Sequence, residues 1–245
     1  MTAVVTGASS GIGRAFAIEL SRAGHALVIV ARRADRLAEL ARELGNAEVL
    51  EADLAHDGDQ ERVAAAAANA DVVVNAAGFG TSGKFAESDV SKQLAMLNVH
   101  AAAVVRICRA ALPAMIARGR GDIINVASIG AFLPTSENAT YCATKAFVVM
   151  FTRALAMETR GTGVRLQALC PGFTHTEFHA TEEYRDHDMN IVPSALWMTP
   201  DDVARASLEH LGRRVVFIPR LRNRALVAVG RLVPASGWLV NRAKR

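Results

Sequence analysis

Short apolar segments alternate with longer helical patterns along the chain. The apolar segments cover residues 3–5, 26–31, 48–50, 72–74, 123–126, 164–169 and 215–218, and the helical patterns lie around 12–23, 34–44, 57–69, 88–117, 139–160 and 200–212. Hydrophobicity within the segments is continuous rather than alternating, which is typical of strands buried on both faces of a parallel sheet. Since parallel strands are joined by right-handed crossovers, this order predicts an α/β fold: a doubly wound parallel sheet of about seven strands with helices on both faces.

The chain length fits one such domain, because α/β folds often reach 245 residues undivided. We expect the domain to cover residues 1–220 and to be followed by an extension over 221–245. Thr199 precedes a proline and two acids, a pattern that caps and starts a helix. It predicts the start of the last core helix.

The composition indicates the cellular compartment and argues against a membrane-spanning helix. Cys108, Cys142 and Cys170 have neither metal-ligand spacing nor the even count of a disulfide framework, which favours a reducing compartment without a metal site. The longest stretch without a charge, residues 123–136, is shorter than the roughly 20 apolar residues of a membrane-spanning helix. The N-terminus begins with a strand rather than a signal-peptide pattern. We therefore expect a cytoplasmic protein.

The charge is unevenly distributed. The net charge is +4, and residues 213–245 carry nine Lys and Arg and no acid. The remaining 19 basic and 24 acidic residues leave residues 1–212 at −5. The basic segment lacks aromatic residues interleaved for base stacking and any recognised binding module, so we do not expect a nucleic-acid partner.

Apolar residues recur at helical spacing in the basic segment and predict an amphipathic helix. The apolar stripe consists of Leu221, Ala225, Val229, Leu232 and Val233. Three surfaces could cover it: the substrate cleft, a neighbouring subunit, or an anionic membrane, for which basic helices with a nearby tryptophan such as Trp238 are also suited.

A glycine cluster follows the first strand, in the run Thr6-Gly7-Ala8-Ser9-Ser10-Gly11-Ile12-Gly13. In doubly wound folds ligands bind beyond the carboxyl ends of the strands, where the N–H groups of the first helix attract phosphate. The spacing differs from Gly-x-Gly-x-x-Gly but serves the same needs of a tight turn and close backbone approach. Taken alone, the cluster is also compatible with a tight turn that binds nothing.

A second cluster contains Tyr141 and Lys145, with Ser128 thirteen residues before the tyrosine. Positions i and i+4 of a helix face the same way, so the phenol and the ammonium can lie over one cleft. A cation beside the phenol lowers its pKa from about 10 and makes it a usable acid–base catalyst. An isolated pair is more often a buried tyrosine next to a solvated lysine, but both clusters together indicate hydride transfer.

Taken in order, these motifs resemble the short-chain dehydrogenase/reductase family, in its compact single-domain branch with a Rossmann-type sheet, over residues 2 to about 218. The resemblance is carried by Thr6-Gly7-x-x-x-Gly11-x-Gly13, Asp53 after the third strand, Asn75-Ala76-Ala77-Gly78 after the fourth, Asn98, Ser128, Tyr141-x-x-x-Lys145 and Pro171-Gly172. One alanine of the Asn75–Gly78 run stands where Asn is commoner. The resemblance implies catalytic roles for four residues. Ser128 would orient the substrate carbonyl, Tyr141 would transfer the proton, Lys145 would contact the nicotinamide ribose and tune the tyrosine pKa, and Asn98 would hold a water in a proton relay.

The same resemblance implies a dinucleotide cofactor. Relatives that prefer NAD carry an acid at the end of the second strand, where this chain has Ala31 followed by Arg32 and Arg33. A guanidinium there can bind a 2′-phosphate, so NADP(H) is favoured over NAD(H); alternatively, the two arginines only begin a solvated loop. The expected cofactor-binding residues are Gly7, Ser9, Ser10, Gly11, Ile12, Gly13, Arg32, Arg33, Asp53, Leu54, Asn75, Ala76, Ala77, Gly78, Tyr141, Lys145, Pro171, Gly172, Phe173, Thr174 and Thr176.

The leading hypothesis is an NADP(H)-dependent oxidoreductase that transfers hydride between nicotinamide and an apolar ketone, aldehyde or alcohol. The alternatives are an epimerase or dehydratase using the same Tyr and Lys pair, and a catalytically idle NADP-binding sensor or scaffold. Residues 177–199 are expected to form a mobile substrate lid, with His175, His179 and His187 as surface side chains rather than metal ligands. Helices 88–117 and 139–160 are expected to pair subunits into a homodimer or homotetramer.

Overall fold

Seven parallel strands form one sheet in the computed structural model, which describes residues 1–180 and 192–232. The strands are β1 (Thr2–Thr6), β2 (Ala26–Ala31), β3 (Ala47–Glu51), β4 (Val72–Asn75), β5 (Gly121–Val126), β6 (Val164–Leu169) and β7 (Val216–Phe217). Their order is β3-β2-β1-β4-β5-β6-β7, and every neighbouring pair is parallel. The predicted doubly wound sheet is confirmed, and the strand order reverses direction beside β1, where such sheets form their ligand crevice.

Helices cover both faces of this sheet. They are α1 (Gly11–Arg22), α2 (Ala34–Leu44), α3 (Asp57–Ala67), α4 (Val90–Leu97), α5 (Ala103–Ala117), α6 (Ala139–Glu158), α7 (Pro200–His210) and α8 (Leu221–Leu232). On one face α1, α2 and α7 bury side chains such as Phe16, Leu37 and Val203. On the other, α3 and α5 bury Val63 and Ile107, and α6 packs beside them. The site is therefore supported by two separate apolar layers.

Two predicted elements differ from the observed ones. The pattern at 88–117 predicts one helix, but a π-helical turn over Asn98–Ala102 separates α4 from α5. Such turns insert one extra residue and often occur at functional sites. Strand β3 was expected to be buried on both faces, yet Val49 is exposed because β3 forms the edge of the sheet.

The stretch Val90–Ala117 is long and apolar enough to cross a membrane by length and composition alone. Half of its most apolar window is buried inside the fold. Ile107, Ala111 and Met115 of this stretch pack in the core between the sheet and α3. We therefore interpret it as a core helix.

Helix α7 begins as predicted. The Thr199 hydroxyl accepts the backbone N–H of Asp202 at 3.1 Å, and Pro200 occupies the first helical position, where a missing N–H costs nothing.

Helix α8 forms as predicted, but the side that packs on the domain is not the apolar stripe. The buried residues are Asn223 and Val227, whereas Leu221 is 77% and Val229 60% exposed. Asn223 decides the orientation: its amide donates to the Pro219 carbonyl at 3.2 Å and packs so closely on the chain that a Cβ on Gly172 would lie 2.6 Å from its nitrogen. The side chains of Leu232 and Val233, and Trp238, lie outside the described residues. The apolar stripe therefore faces solvent as far as it is described.

Candidate active site

The glycine cluster forms the turn between β1 and α1. Gly7 has a φ of +70°, and a Cβ on it would lie 2.8 Å from the backbone nitrogen of Ala77. A Cβ on Gly13 would lie 2.3 Å from the Gly7 carbonyl oxygen. Glycine is required at both positions because backbone fills the space a side chain would need. The turn thus brings α1 directly against the end of β1.

The start of α1 is open to a ligand. Ser10 is the N-cap residue, and its side chain makes no capping hydrogen bond. The first N–H groups of a helix have no partner within the helix and attract anions. A Cβ on Gly11 would lie 3.0 Å from the Thr176 methyl carbon, so the loop after β6 lies beside the turn. Ile12 points the other way and packs against the core.

The ends of β1 and β4 are tied together by one hydroxyl. Thr6 Oγ1 accepts the backbone N–H groups of Ala76 and Ala77 at 3.0 and 3.1 Å. The Asn75 amide donates to the Asn125 side chain at 2.8 Å, inside the sheet. Gly78 follows at the edge of the cleft. The predicted Asn75–Gly78 segment therefore lies next to the glycine turn, with Asn75 itself bound in the sheet.

Beyond β3, the predicted residues Asp53 and Leu54 form a short turn. Asp53 Oδ1 accepts the N–H of Ala55 at 3.0 Å, and its own N–H donates to Asp59 at 2.7 Å. Leu54 is buried. The turn is held rigid beside the crevice.

Only one of the two arginines after β2 reaches the glycine turn. Arg33 donates from Nε and Nη2 to the Ser9 hydroxyl at 3.2 and 3.0 Å, and from Nη1 to Glu177 at 2.8 Å. Arg32 is exposed. Arg33 therefore contacts the turn directly, and Arg36 also binds Glu177; the role predicted for Arg32 stays a prediction.

Ser128, just beyond the end of β5, comes together with Tyr141 and Lys145 in the first two turns of α6. A Cβ placed on Gly130 would lie 3.4 Å from both the Ser128 hydroxyl oxygen and a ring carbon of Tyr141. The Ser128 oxygen accepts the Gly130 N–H at 3.0 Å, which fixes its position. Lys145 Nζ donates to the Val126 carbonyl at 3.0 Å and lies 5.7 Å from the centre of the Tyr141 ring.

The prediction that Lys145 lowers the pKa of Tyr141 is not met in the protein alone. Burial raises the pKa of Tyr141 to about 12, although the hydrogen bond with Ser128 acts in the opposite direction. Burial also lowers the pKa of Lys145 to about 8. Removing both groups from water disfavours the charged form of each. The phenol is therefore a proton donor at neutral pH.

Asn98 begins the π-helical turn. Its amide donates to the Ala55 carbonyl at 3.0 Å, so the side chain is bound to the loop after β3. Its carbonyl accepts the N–H of Ala103, the residue after the π turn. The structure does not bring its side chain to Tyr141, and the water relay stays a prediction.

His100 was missed by the sequence analysis and lies at the centre of the site. Its Nε2 accepts the N–H of Phe79 at 3.1 Å, so Nδ1 carries the proton and donates to the Thr144 hydroxyl at 2.9 Å. Thr144 in turn donates to the Tyr141 carbonyl at 2.8 Å. Burial, and then the charge of Lys145, hold the pKa of His100 well below its usual range. A neutral histidine thus links the Gly78 loop to the catalytic helix, a contact that no local pattern reveals.

The loop after β6 closes the site from the other side. The Pro171 carbonyl accepts the Ile129 N–H at 2.9 Å, beside Ser128. The buried Thr174 hydroxyl donates to the Gly172 carbonyl at 3.1 Å. Phe173 turns away and contacts the Trp197 ring at 5.6 Å. Of the predicted lid, residues 181–191 lie outside the described residues; at its start, the Phe178 ring lies 5.5 Å from that of Tyr141.

An open cleft of about 1020 Å³ extends over the glycine turn and is lined by Ser9, Arg36, Thr176 and Glu177. It lies beside the Tyr141 group rather than on it, as expected if one long ligand spans both. The side-chain-free turn, the open helix N-terminus and the arginines fit a dinucleotide with phosphates over α1. The arrangement can hold such a ligand and donate a proton from Tyr141 at its far end.

Comparisons with known proteins agree with this geometry. The sequence model described as short chain dehydrogenase matches residues 1–186. An NADP-dependent 3-hydroxy acid dehydrogenase of Schizosaccharomyces pombe is 32% identical over 227 residues, which cover 87% of each chain.

Among solved structures, a short-chain dehydrogenase from Sphingobium yanoikuyae in complex with NADPH superposes with a TM-score of 0.83 and 32% identity, covering 93% of this chain and 92% of that one. A bulky-bulky ketone specific alcohol dehydrogenase from Comamonas testosteroni gives a TM-score of 0.80 and 29% identity, covering 94% and 92%. Motifs, fold and relatives therefore coincide: the chain belongs to the short-chain dehydrogenase/reductase family of oxidoreductases.

Proposed function

We propose that the protein is an NADP(H)-dependent oxidoreductase that interconverts an apolar ketone or aldehyde and the corresponding alcohol. The observation that carries the proposal is the convergence of Ser128, Tyr141 and Lys145 beside an open helix N-terminus. Relatives named for NADP or NADPH support the choice of cofactor. We propose that residues 1–220 form the single dinucleotide-binding and catalytic domain.

The dinucleotide would be held by the glycine turn, the Asn75–Gly78 segment and Arg33, and when bound it would exchange hydride with the substrate carbon. Tyr141 would donate a proton to the carbonyl oxygen as negative charge grows there. Ser128 would donate a second hydrogen bond to the same oxygen. Such donors accelerate the reaction because they stabilise the transition state more than the substrate. Lys145 would bind the ribose next to the reacting end.

The substrate side of the cleft favours an apolar molecule. The Phe178 ring lies 5.5 Å from that of Tyr141, so an apolar group flanks the proton donor. The Comamonas relative is named for bulky ketones. An epimerase, a dehydratase or an idle sensor is less well supported, since the relatives reported above are named as dehydrogenases.

We propose a homodimer or homotetramer in a reducing compartment, the cytoplasm. The three cysteines are free and buried. Large apolar side chains on α4 to α6 are exposed, among them Leu94, Val105, Phe147 and Met150. A shallow cavity of about 560 Å³ lies between Ala101, Val105 and Phe147. The Phe147 ring stacks on that of the partly buried Phe151, with ring centres 5.6 Å apart, so the exposed face of α6 is the one that carries Phe147.

Tyr141→Phe tests the chemistry. The variant removes the proton donor but keeps the ring, so we expect NADPH-dependent ketone reduction to fall by about 10² or more, with the melting temperature little changed. A panel of ketones and aldehydes assayed by NADPH consumption provides the measurement. Turnover close to that of the wild type would rule out the proposed mechanism.

Loss of the Lys145 charge at high pH should make dinucleotide affinity depend on pH. Its pKa is lowered to about 8, so the ammonium is present below that pH and is lost as the pH rises through it. We expect dinucleotide affinity to decrease above about pH 8, and Lys145→Met to bind more weakly at pH 7 without that decrease. Titration of dinucleotide fluorescence at pH 6.5 to 9.5 measures it, with the exposed Lys84→Met as control. An equal pH dependence in Lys145→Met would contradict the assignment.

Phe147→Glu tests the subunit interface. A charge buried at the centre of an apolar contact is strongly unfavourable, so we expect light scattering at micromolar concentration to give a dimer or larger for the wild type and a smaller species for this variant. Met157→Glu, on the same helix but away from the cavity, should assemble like the wild type. A monomeric wild type would exclude the proposed assembly.

A further inference from the structure

Arg33 and Arg36 both bind the carboxylate of Glu177. Glu177 Oε2 accepts from Arg33 Nη1 at 2.8 Å, and Glu177 Oε1 accepts from Arg36 Nη1. Arg33 also donates two hydrogen bonds to Ser9, at the start of the glycine turn. A carboxylate between two guanidinium groups makes the same charge-assisted bonds that a phosphate would make.

Chain geometry keeps Glu177 at this position. It follows Thr176, whose methyl carbon would lie 3.0 Å from a Cβ on Gly11. Partial burial raises the pKa of Glu177, but the hydrogen bonds from Arg33 and Arg36 outweigh it and the net pKa lies below its usual range. The acid is therefore ionised at neutral pH and carries a negative charge into the region where the arginines would receive a 2′-phosphate.

We propose that Glu177 competes with the 2′-phosphate of NADP(H) for Arg33 and Arg36 and so limits the preference of the site for NADP(H) over NAD(H). This rests on the proposed function, because it assumes a dinucleotide over the glycine turn. If Glu177 also holds the loop after β6 in place, that effect changes the binding of NADP(H) and NAD(H) equally. Competition for the arginines acts only on the one with a 2′-phosphate, so the ratio of the two affinities isolates it.

The expected effect is modest, since all three side chains are partly exposed and exposed ion pairs contribute little. We expect Glu177→Gln to tighten NADPH binding about three- to tenfold and to leave NADH binding within about twofold. Equilibrium titration of the substrate-free protein with each dinucleotide gives both constants without any turnover.

Two variants control the experiment. Glu43→Gln removes another exposed carboxylate of the same cleft, one that pairs with Arg14, and should change neither affinity. In the Arg33→Ala background, Glu177→Gln should tighten NADPH binding less than in the wild type, because one contested guanidinium is gone. An equal gain in both backgrounds would overturn the competition.

The outcomes separate the two proposals. If the wild type binds NADH as tightly as NADPH or more tightly, the proposed cofactor preference fails. If NADPH is preferred but Glu177→Gln shifts both dinucleotides equally, or neither, the cofactor assignment stands and the competition is wrong.

Helix α8 carries an independent second inference. Leu221, Ala225 and Val229 form a stripe on its exposed side, while Asn223 and Val227 hold the helix to the domain. At about 100° per residue, the exposed Arg222 lies next to the stripe on one side. Arg224 lies on the other side, where its Nε donates to the Ile218 carbonyl at 2.9 Å. The segment 213–245 contains nine Lys and Arg and no acid.

The charges favour a lipid surface over a second copy of the same helix. In a two-fold contact the same patch meets itself, which would bring arginines against arginines with no acid in the segment. An anionic bilayer pairs with these charges and accepts the apolar stripe at its interface. We propose that α8 docks the protein onto anionic lipid through Leu221, Ala225 and Val229.

Docking there would place lipid near the substrate cleft. A Cβ on Gly230 would lie 2.3 Å from Leu133, in the segment that follows Ser128. The far end of α8 thus packs against the loop of the catalytic serine.

Vesicle co-sedimentation of the full chain tests this docking. We expect binding to phosphatidylglycerol-containing vesicles, at least about tenfold weaker binding to pure phosphatidylcholine, and weakening by 0.5 M salt. Leu221→Ser combined with Val229→Ser should reduce binding about tenfold, because apolar contact is lost while the charge is kept. Point variants are preferred to truncation, since Asn223 of α8 supports the Gly172 loop.

The matched control is Val90→Ser with Met157→Ser, two side chains that are 65% and 78% exposed on other helices. This variant should bind vesicles like the wild type. Equal binding by the α8 double variant, or no binding by the wild type, would overturn the proposal. A lower mass of the α8 variant in light scattering would show instead that the stripe is a subunit contact.

Discussion

The turn after β1 and the loop after β4 approach each other so closely at the centre of the sheet that no side chain fits between their backbones. Gly7 faces the backbone of Ala76 and Ala77, and Gly13 lies against the Gly7 carbonyl. Thr6 closes the contact by accepting both N–H groups of the β4 loop. The rest of the site depends on this close contact between the two loops. It sets where α1 begins, where the edge of the cleft lies, and how far the glycine turn is from Ser128, Tyr141 and Lys145.

Burial governs the chemistry beyond that contact. The phenol of Tyr141 and the ammonium of Lys145 are both removed from water, so each is shifted toward its neutral form. His100, also buried, has a single tautomer fixed by Phe79 and Thr144. A neutral phenol is the form that reduction of a carbonyl needs, and a rigid neutral histidine keeps the two sides of the cleft in register without adding charge.

Arginines in the two exposed regions have different environments. Those after β2 are matched by Glu177, so a ligand phosphate must displace a partner that the chain supplies. Around α8, Arg220 pairs with Asp202, but residues 213–245 contain no acid and the apolar stripe lies beside the exposed Arg222. The first arrangement tunes binding of a small anion, and the second suits an extended anionic surface.

The sequence by itself determined the sheet, the glycine turn, the start of α7 and the positions of Ser128, Tyr141 and Lys145, because these depend on local periodicity, capping and spacing. It did not determine which arginine after β2 faces the cleft or which side of α8 is buried. Arg33 is selected by Ser9 and Glu177, the latter 144 residues away, and the orientation of α8 is selected by Asn223 packing on Gly172. The tertiary structure also decided the direction of the Tyr141 pKa shift and the role of His100. The first depends on burial and the second on contacts between distant segments, and both exist only once the chain is packed.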